Sequence, residues 1–326
     1  MSLNPPEHTE QRRALRDAFG KQTLQRLTAP IRDTTGELLD QLEDALTEGP
    51  RADFVHTSDQ LPISVVGRWL GLPARDFDRL HQLTREHTYA QELFPTPRRL
   101  EQADLASGEL QAYFAAIVAD RRACPRDDVI SNWLTLWDTV VPNRPAADVT
   151  VRRMAMFSLM AGLETTAALL ASSVRLLAQH PEQARLLRSH PEHTSALVDE
   201  ALRFDPPVQV ISRVAPRDMT LAGVRIAAGQ VAYLLIGAAQ HDPTVHERPD
   251  IFDVRRPGRR HLAFGAGAHY CIGAGLARTM AIQFVEALLR RLPSLYLPSP
   301  PLWESRVAFR RMESLPIAWR RPGREG

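Results

Sequence analysis

Cysteine is nearly absent from these 326 residues: Cys124 and Cys271 stand far apart in unrelated segments. That excludes a disulfide-framed scaffold and fits a reducing compartment, so a cytoplasmic location is expected. Lysine is scarcer still, with Lys21 alone against thirty-nine arginines, a bias that reflects genome base composition rather than function. The formal net charge of +2 argues against a nucleic-acid-binding protein or one with an acidic tail. The opening Met-Ser-Leu-Asn-Pro-Pro-Glu-His lacks the basic and apolar sequence of a signal peptide. No uncharged apolar stretch reads as long enough to cross a bilayer, so no membrane association is expected. Cys124, beside Pro125, reads as structural or incidental. Hydrophobic content of 44% suffices for one large domain or two ordinary ones.

What is abundant is helical periodicity. Most of residues 5–205 carries apolar spacing near three and four, broken by Pro and Gly. Pro-Pro at 5 and 6 opens a helix to about Phe19; a stripe of Leu27, Ile31, Leu38 and Leu42 marks Leu24 to Glu48; Leu61 to Leu70 and Leu100 to Arg122 follow. Residues 148–179 are apolar on nearly every side, which places that helix inside the protein. After Pro206-Pro207 come β-like runs, Val208 to Val214, Met219 to Ile226 and Gln230 to Ile236, with turn chemistry at Pro216-Arg-Asp218, Ala222-Gly223 and Ala228-Gly229. An irregular stretch, a long helix over about 274–291 and a hairpin-like tail complete the chain. The expectation is one domain over 1–326, mainly α with a small β region: helix-rich 1–205, small sheets 206–236, a glycine loop and last helix 260–292, and a β tail 293–320.

Chemistry concentrates in Phe264-Gly-Ala-Gly-Ala-His-Tyr-Cys271-Ile-Gly273. Gly265, Gly267 and Gly273 let backbone pass close to a flat ligand or turn through left-handed conformations. Cys271 precedes an apolar helical run, where orphan N–H groups and the positive helix end favour thiolate. The bland alternative is a buried small hydrophobe. Ala161-Gly162-Leu163-Glu164-Thr165-Thr166 sets an acid and hydroxyls within the buried helix, where a carboxylate needs a reason. A packing role competes: Gly permits a close helix crossing, and Thr bonds back to carbonyls four residues earlier. Glu200 and Arg203 share one helix face at i and i+3, which alone is weak information. A zinc reading of the eleven histidines fails for want of ligand spacing.

Phe264-x-x-Gly267-x-His269-x-Cys271-x-Gly273, leading into a helix, closely resembles the haem-binding loop of the cytochromes P450, whose iron takes a Cys thiolate. Residues 161–165 resemble the family's oxygen-activating helix, and Glu200-Ala-Leu-Arg203 matches its Glu-x-x-Arg pair, with a third partner open among Arg248, Arg255 and Arg256. Further matches run from about Asn4 to Trp319, including Gln240-His-Asp-Pro243, Phe252-Asp253 and Met312-Glu-Ser-Leu-Pro316, and look like the soluble bacterial branch. The resemblance implies haem b held by Cys271 as metal ligand, with Phe264, Gly265 and Gly273 in the loop and Ala161 and Gly162 over the other face. It implies propionate donors His8, Arg12, Arg213 and His269, and Thr165 and Glu164 as the pair that manages protons for dioxygen. Leu163 stands where the family commonly has a polar residue, which bears on proton supply.

The implied function is a haem-thiolate monooxygenase that takes two electrons from a ferredoxin-type donor. It would hydroxylate or oxidatively couple a small, largely apolar organic substrate, free or borne on a carrier or peptide, in bacterial secondary metabolism. Ala161, Val208, Val210 and the turn near Met312 are expected to line the pocket. Residues 85–100, with Tyr89, Phe94 and Pro95, read as a lid or an ordinary loop. Arg259, Arg260, His261, Arg278, Arg290 and Arg291 read as a basic patch for the donor or as a solvated face. The chain begins several dozen residues into the family pattern, so strands 208–214 and 230–236 are expected to lack partners and the pocket part of its roof. The alternative is a haem-binding or interaction protein without turnover, or an inactive truncated enzyme.

Overall fold

The computed structural model describes residues 4, 6–141, 143–258 and 260–320; Pro5 and Arg259 lie outside the described residues. Helices α3, α5, α6, α7 and α8 begin where a short polar side chain or a proline relieves the orphan N–H groups. In order they are α1 (Glu7–Ala18), α2 (Lys21–Glu48), α3 (Phe54–Trp69), α4 (Phe77–Thr88), α5 (Pro97–Ala123), α6 (Val129–Val140), α7 (Arg144–Gln179), α8 (Pro181–Ser189) and α9 (Thr194–Phe204). Asp53 accepts from Val55 N at 2.9 Å to cap α3, and Asp128 accepts from Ser131 N at 2.8 Å to cap α6. Pro97 and Pro181 sit in first turns, where no N–H is needed.

The long α7 runs through the middle, packed on α3, α5, α6 and α9. By length and composition it is apolar enough to span a membrane, although Glu164 interrupts the uncharged run, and 67% of that apolar window is buried among the other helices, as in the core of a globular protein. Close crossings depend on missing side chains. A β-carbon at Gly162 of α7 would come within 3.2 Å of Val66 Cγ2 on α3, and one at Gly67 within 2.4 Å of the Phe77 ring. Gly67→Ala therefore overpacks the α3–α4 contact and should cost about 1–3 kcal/mol in urea unfolding.

The sheets are small. β1 (Ala52–Asp53) precedes α3; β2 (Val210–Val214) and β5 (Val231–Leu235) pair antiparallel, with Val210 opposite Leu235 and Val214 opposite Val231. The strands expected to lack partners thus have each other. β3 (Met219–Leu221) and β4 (Val224–Ile226) form a hairpin whose turn residues Ala222 and Gly223 both take positive φ, 49° and 81°, matching the strand twist. A short α10 (Ile236–Ala239) follows, then α11 (Ala274–Arg291), β6 (Leu295–Tyr296), β7 (Leu302–Trp303), β8 (Met312–Ser314) and β9 (Pro316–Trp319). The tail is more than the expected hairpin, because β9 lies between β1 and β6 and joins both ends of the fold. α11 packs on α2, α7 and α9, and a β-carbon at Gly275 would come within 2.9 Å of Leu24 Cδ1, so the starts of α2 and α11 touch closely. Mainly helical with a small β region, the architecture is the one the sequence implies.

Candidate functional site

A cavity of about 380 Å³ lies where α7 faces the 262–273 loop, with α1 and β2 at its edge. The loop is shaped by its own backbone: Cys271 N donates to Phe264 O at 2.8 Å, Gly265 N to Leu262 O at 2.7 Å and Tyr270 N to Gly267 O at 3.1 Å. Gly265 and Gly267 take φ of 71° and 69°, which side chains with a β-carbon rarely adopt. Gly273 does not; its φ is −83°, and a β-carbon there would meet Cys271 Sγ and the Phe19 ring at 3.9 Å. Its place is one of close approach, not of left-handed turning.

Cys271 presents its surface to the cavity, just ahead of α11. Burial pushes its thiol above the ordinary value, and the N–H groups of Gly273 and Ala274 with the Arg12 charge pull back only part. The helix-start donors act in favour of thiolate, as expected, and burial acts against it; a coordinated metal ion deprotonates such a thiol outright.

One edge of the cavity is cationic. His8 and Arg12 come from α1, Arg213 from β2 and His269 from the loop, and the His8 and His269 rings lie 4.1 Å apart. Among the described residues no Asp or Glu lines the cavity. Arg213 spends one N–H on the Ser212 carbonyl at 2.8 Å. Burial, then the charges of His8, Arg213 and Arg12, hold His269 below the usual imidazole range. Such a cluster calls for an anion. Leu15, Phe19, Trp69, Phe157 and Leu276 supply apolar walls. A flat apolar ligand with two carboxylates on one edge and a metal at its centre fits this donor set, and haem b is such a group.

Opposite the cysteine, Ala161, Gly162, Thr165 and Thr166 of α7 line the cavity. Thr165 Oγ1 donates to Ala161 O at 3.0 Å, the back-bond that the packing reading anticipates. Glu164 is not among the lining residues. Its buried side chain accepts from Arg306 Nη1 at 2.9 Å, and its other oxygen has no hydrogen-bond partner among the described residues. Burial raises its carboxyl above the ordinary range, against the pull of Arg306 and Arg311. Arg306, with Glu92 and Glu304 beside it, went unnoticed in the sequence, where nothing distinguishes one arginine of thirty-nine. Ala161 and Val208 line the cavity as expected, but Val210, Met312 and residues 85–100 do not. Met312 packs instead in the core, and Phe94 is exposed to solvent.

Behind the loop, Glu200 accepts from Arg203 Nε and Nη2 at 2.9 Å, from Asp253 N at 3.1 Å and from Arg256 Nε at 3.1 Å. The open third partner is Arg256; Arg255 pairs with Asp253. Arg203 Nη1 also donates to Gln240 O at 2.9 Å, and Gln240 Oε1 accepts from Leu262 N at 3.2 Å, which ties the pair to the loop. The expected basic patch shrinks: His261 and Arg278 turn to Asp199, Arg291 lies between Asp40 and Glu43, and Arg260 and Arg290 stay exposed.

The cytochrome P450 family model matches residues 143–302. A biotin biosynthesis cytochrome P450 of Bacillus subtilis is 32% identical over 318 residues, covering 97% of this chain and 78% of the relative. The cytochrome P450 monooxygenase PikC of Streptomyces venezuelae is 33% identical over 332 residues, covering 100% of this chain and 76% of the relative. The crystal structure of P450BioI in complex with hexadec-9Z-enoic acid ligated acyl carrier protein superposes with a TM-score of 0.90 at 30% identity, covering 98% of this chain and 81% of that one. A thiol-bearing glycine loop, a cationic edge short of acids and relatives that match nearly the whole chain together place it in the cytochrome P450 family of haem b monooxygenases.

Proposed function

We propose that the protein hydroxylates or oxidatively couples a small, largely apolar organic substrate of bacterial secondary metabolism, free or borne on a carrier, using dioxygen and two electrons from a ferredoxin-type donor. The observation that carries this reading is a cavity with apolar walls, a thiol at its floor and the hydroxyls of Thr165 and Thr166 opposite. Relatives named for biotin and polyketide biosynthesis and a mycinamicin IV hydroxylase/epoxidase support the setting, and the carrier-bound fatty acid named for P450BioI supports a substrate of that kind.

Cys271 would hold the haem iron; bound there, haem supplies one-electron and dioxygen chemistry, with the thiolate pushing electron density toward O–O cleavage. His8, Arg12, Arg213 and His269 would take the two propionates and fix the plane of the ring. Thr165 would hold and pass a proton at Oγ1, giving up its bond to the Ala161 carbonyl as it turns into the cavity. Glu164, next along the helix, would replenish that proton. The apolar walls exclude bulk water and so favour proton delivery only along this route.

Thr165→Ala tests the reading. With a ferredoxin and its reductase as donor, and hexadec-9Z-enoic acid supplied free and as its carrier-protein thioester, reductant consumption should persist. Product per electron pair should fall by about tenfold to a hundredfold, with hydrogen peroxide rising in its place. Parallel loss of consumption and product would mean that Thr165 has no part in proton delivery. A haem absorption spectrum unmoved by either form of the fatty acid would exclude that substrate class.

A further inference from the structure

Beside the cavity the fold leaves one sheet edge bare. Alternation along the β2–β5 ribbon puts Ile211 and Arg213 on the side that lines the cavity. Val210, Ser212 and Val214 point to the other side, where Leu235, Tyr233 and Val231 lie opposite them. That second side faces water: Val214 is 63% exposed, Leu235 57%, Tyr233 54% and Val231 48%. Leu221 and Val224, which share one face of the following β3–β4 hairpin, are exposed as well. Natural sheets guard such an edge with a charge, a proline or a bulge, because its unpaired N–H and C=O groups are a template for another strand. Among the described residues β5 has β2 as its only neighbour, and its five residues, Val-Ala-Tyr-Leu-Leu, include none of these guards.

The strand is complementary to itself. A two-fold axis through Tyr233 sets β5 antiparallel to a second β5 with every residue paired: Tyr233 on Tyr233, Val231 on Leu235 and Ala232 on Leu234. Each pair is aliphatic or aromatic, the kind that stabilises neighbouring strands, and no charge is taken out of water. The nearest charges of the hairpin are spent locally, since Arg225 Nη2 donates to Asp218 at 3.1 Å. Residues 210–235 fall within the roughly 20–30 residues a side that a stable interface uses. A second copy of this chain thus matches the edge in polarity, register and size.

We propose that two copies join β5 to β5 in a four-stranded sheet, ordered β2–β5–β5–β2, and that this sheet steadies the cationic edge of each cavity at Arg213. The link to the cavity rests on the reading of Arg213 as a propionate donor. Two strands alone make a marginal sheet, whereas three or more with a covered apolar face hold their shape. Arg213 reaches the cavity from one such ribbon, with Ile211 beside it on the same face. Pairing at β5 fixes β2 through the register from Val210 opposite Leu235 to Val214 opposite Val231, so association and haem retention reinforce each other.

Sedimentation equilibrium of the haem-loaded protein should give a closed dimer. Tyr233→Lys sets two ammonium groups opposite each other at an exposed position, so the variant should fold normally and its dissociation constant should rise at least about tenfold. Haem transfer to apomyoglobin should then run about tenfold faster than from the wild type. Tyr233→Cys combined with Cys124→Ser should cross-link into a covalent dimer on mild oxidation, whereas Thr220→Cys in the same background, on the other face of the hairpin, should not. A wild type that stays monomeric, leaving the edge to a strand of some other protein, overturns the proposal. Open-ended polymers, or a dimer as tight in Tyr233→Lys as in the wild type, overturn it too. Equal haem transfer from dimer and monomer overturns the coupling to the cavity. If Arg213→Gln dimerises normally and keeps haem as the wild type does, the propionate reading fails while the interface stands.

Discussion

Cys271→Ser will lose the long-wavelength carbon monoxide band of the reduced haem protein, and with it monooxygenase turnover. A serine hydroxyl ionises far above any working pH, and burial at this site already pushes a thiol upward despite two N–H donors and Arg12. The loop should survive the change, because its hydrogen bonds at 264–271 are made by backbone. The cationic edge should also survive, since His8, Arg12, Arg213 and His269 owe nothing to the sulfur. The variant is therefore expected to fold and to bind haem loosely through its propionates, with a spectrum lacking thiolate character. Absorbance of the dithionite-reduced protein under carbon monoxide checks this. An unchanged band in the variant would remove Cys271 as the iron ligand and leave no second candidate at the cavity floor.

The largest expected effect on stability belongs to the brace behind the loop. Arg203→Ala strips Glu200 of its bidentate partner and frees the Gln240 and Ile251 carbonyls, all within a buried region. Breaking one side of such a pair leaves a buried charge undercompensated, which costs about 3–5 kcal/mol. That is a large share of the stability of an ordinary domain, so soluble yield and the urea midpoint should both fall sharply. Arg203→Lys should rescue little, because an ammonium cannot serve two carboxylate oxygens and two carbonyls at once. The exposed Arg79–Glu109 pair provides a control, and its removal should leave the midpoint within scatter. A midpoint for Arg203→Ala no lower than that control would show that the brace is not structural.

Much of this molecule could be read from its chain because local pattern and tertiary role coincide. The all-round apolar run at 148–179 forms α7, and the glycine-flanked Cys271 ahead of a helix faces a cavity. The cationic cavity edge, drawn from three separate segments, is legible only through resemblance, since no spacing rule joins His8 to Arg213. What escaped was of two kinds. α4 and α6 are short and end without glycine, and α3 starts seven residues before its apolar stripe begins at Leu61, because its first turn is set by the Asp53 cap rather than by periodicity. The second kind is the arginine cluster: Arg306 meets Glu164 across 142 positions and Glu92 across 214, and charge pairing at that range leaves no trace in a single sequence. The spacing at 161–166 marks Glu164 as a buried acid, but nothing in it indicates that the carboxylate is bound to Arg306 rather than lining the cavity.

The close touch between the starts of α2 and α11 gives the single lysine a practical value. Lys21 is exposed at the first residue of α2, two positions after Phe19 in the cavity wall and three before Leu24, which lies against Gly275. An amine-reactive fluorophore coupled to that side chain would sit beside the first turn after Cys271. Its emission should be quenched by energy transfer as haem enters, so occupancy of the site could be followed in real time without any engineered attachment point.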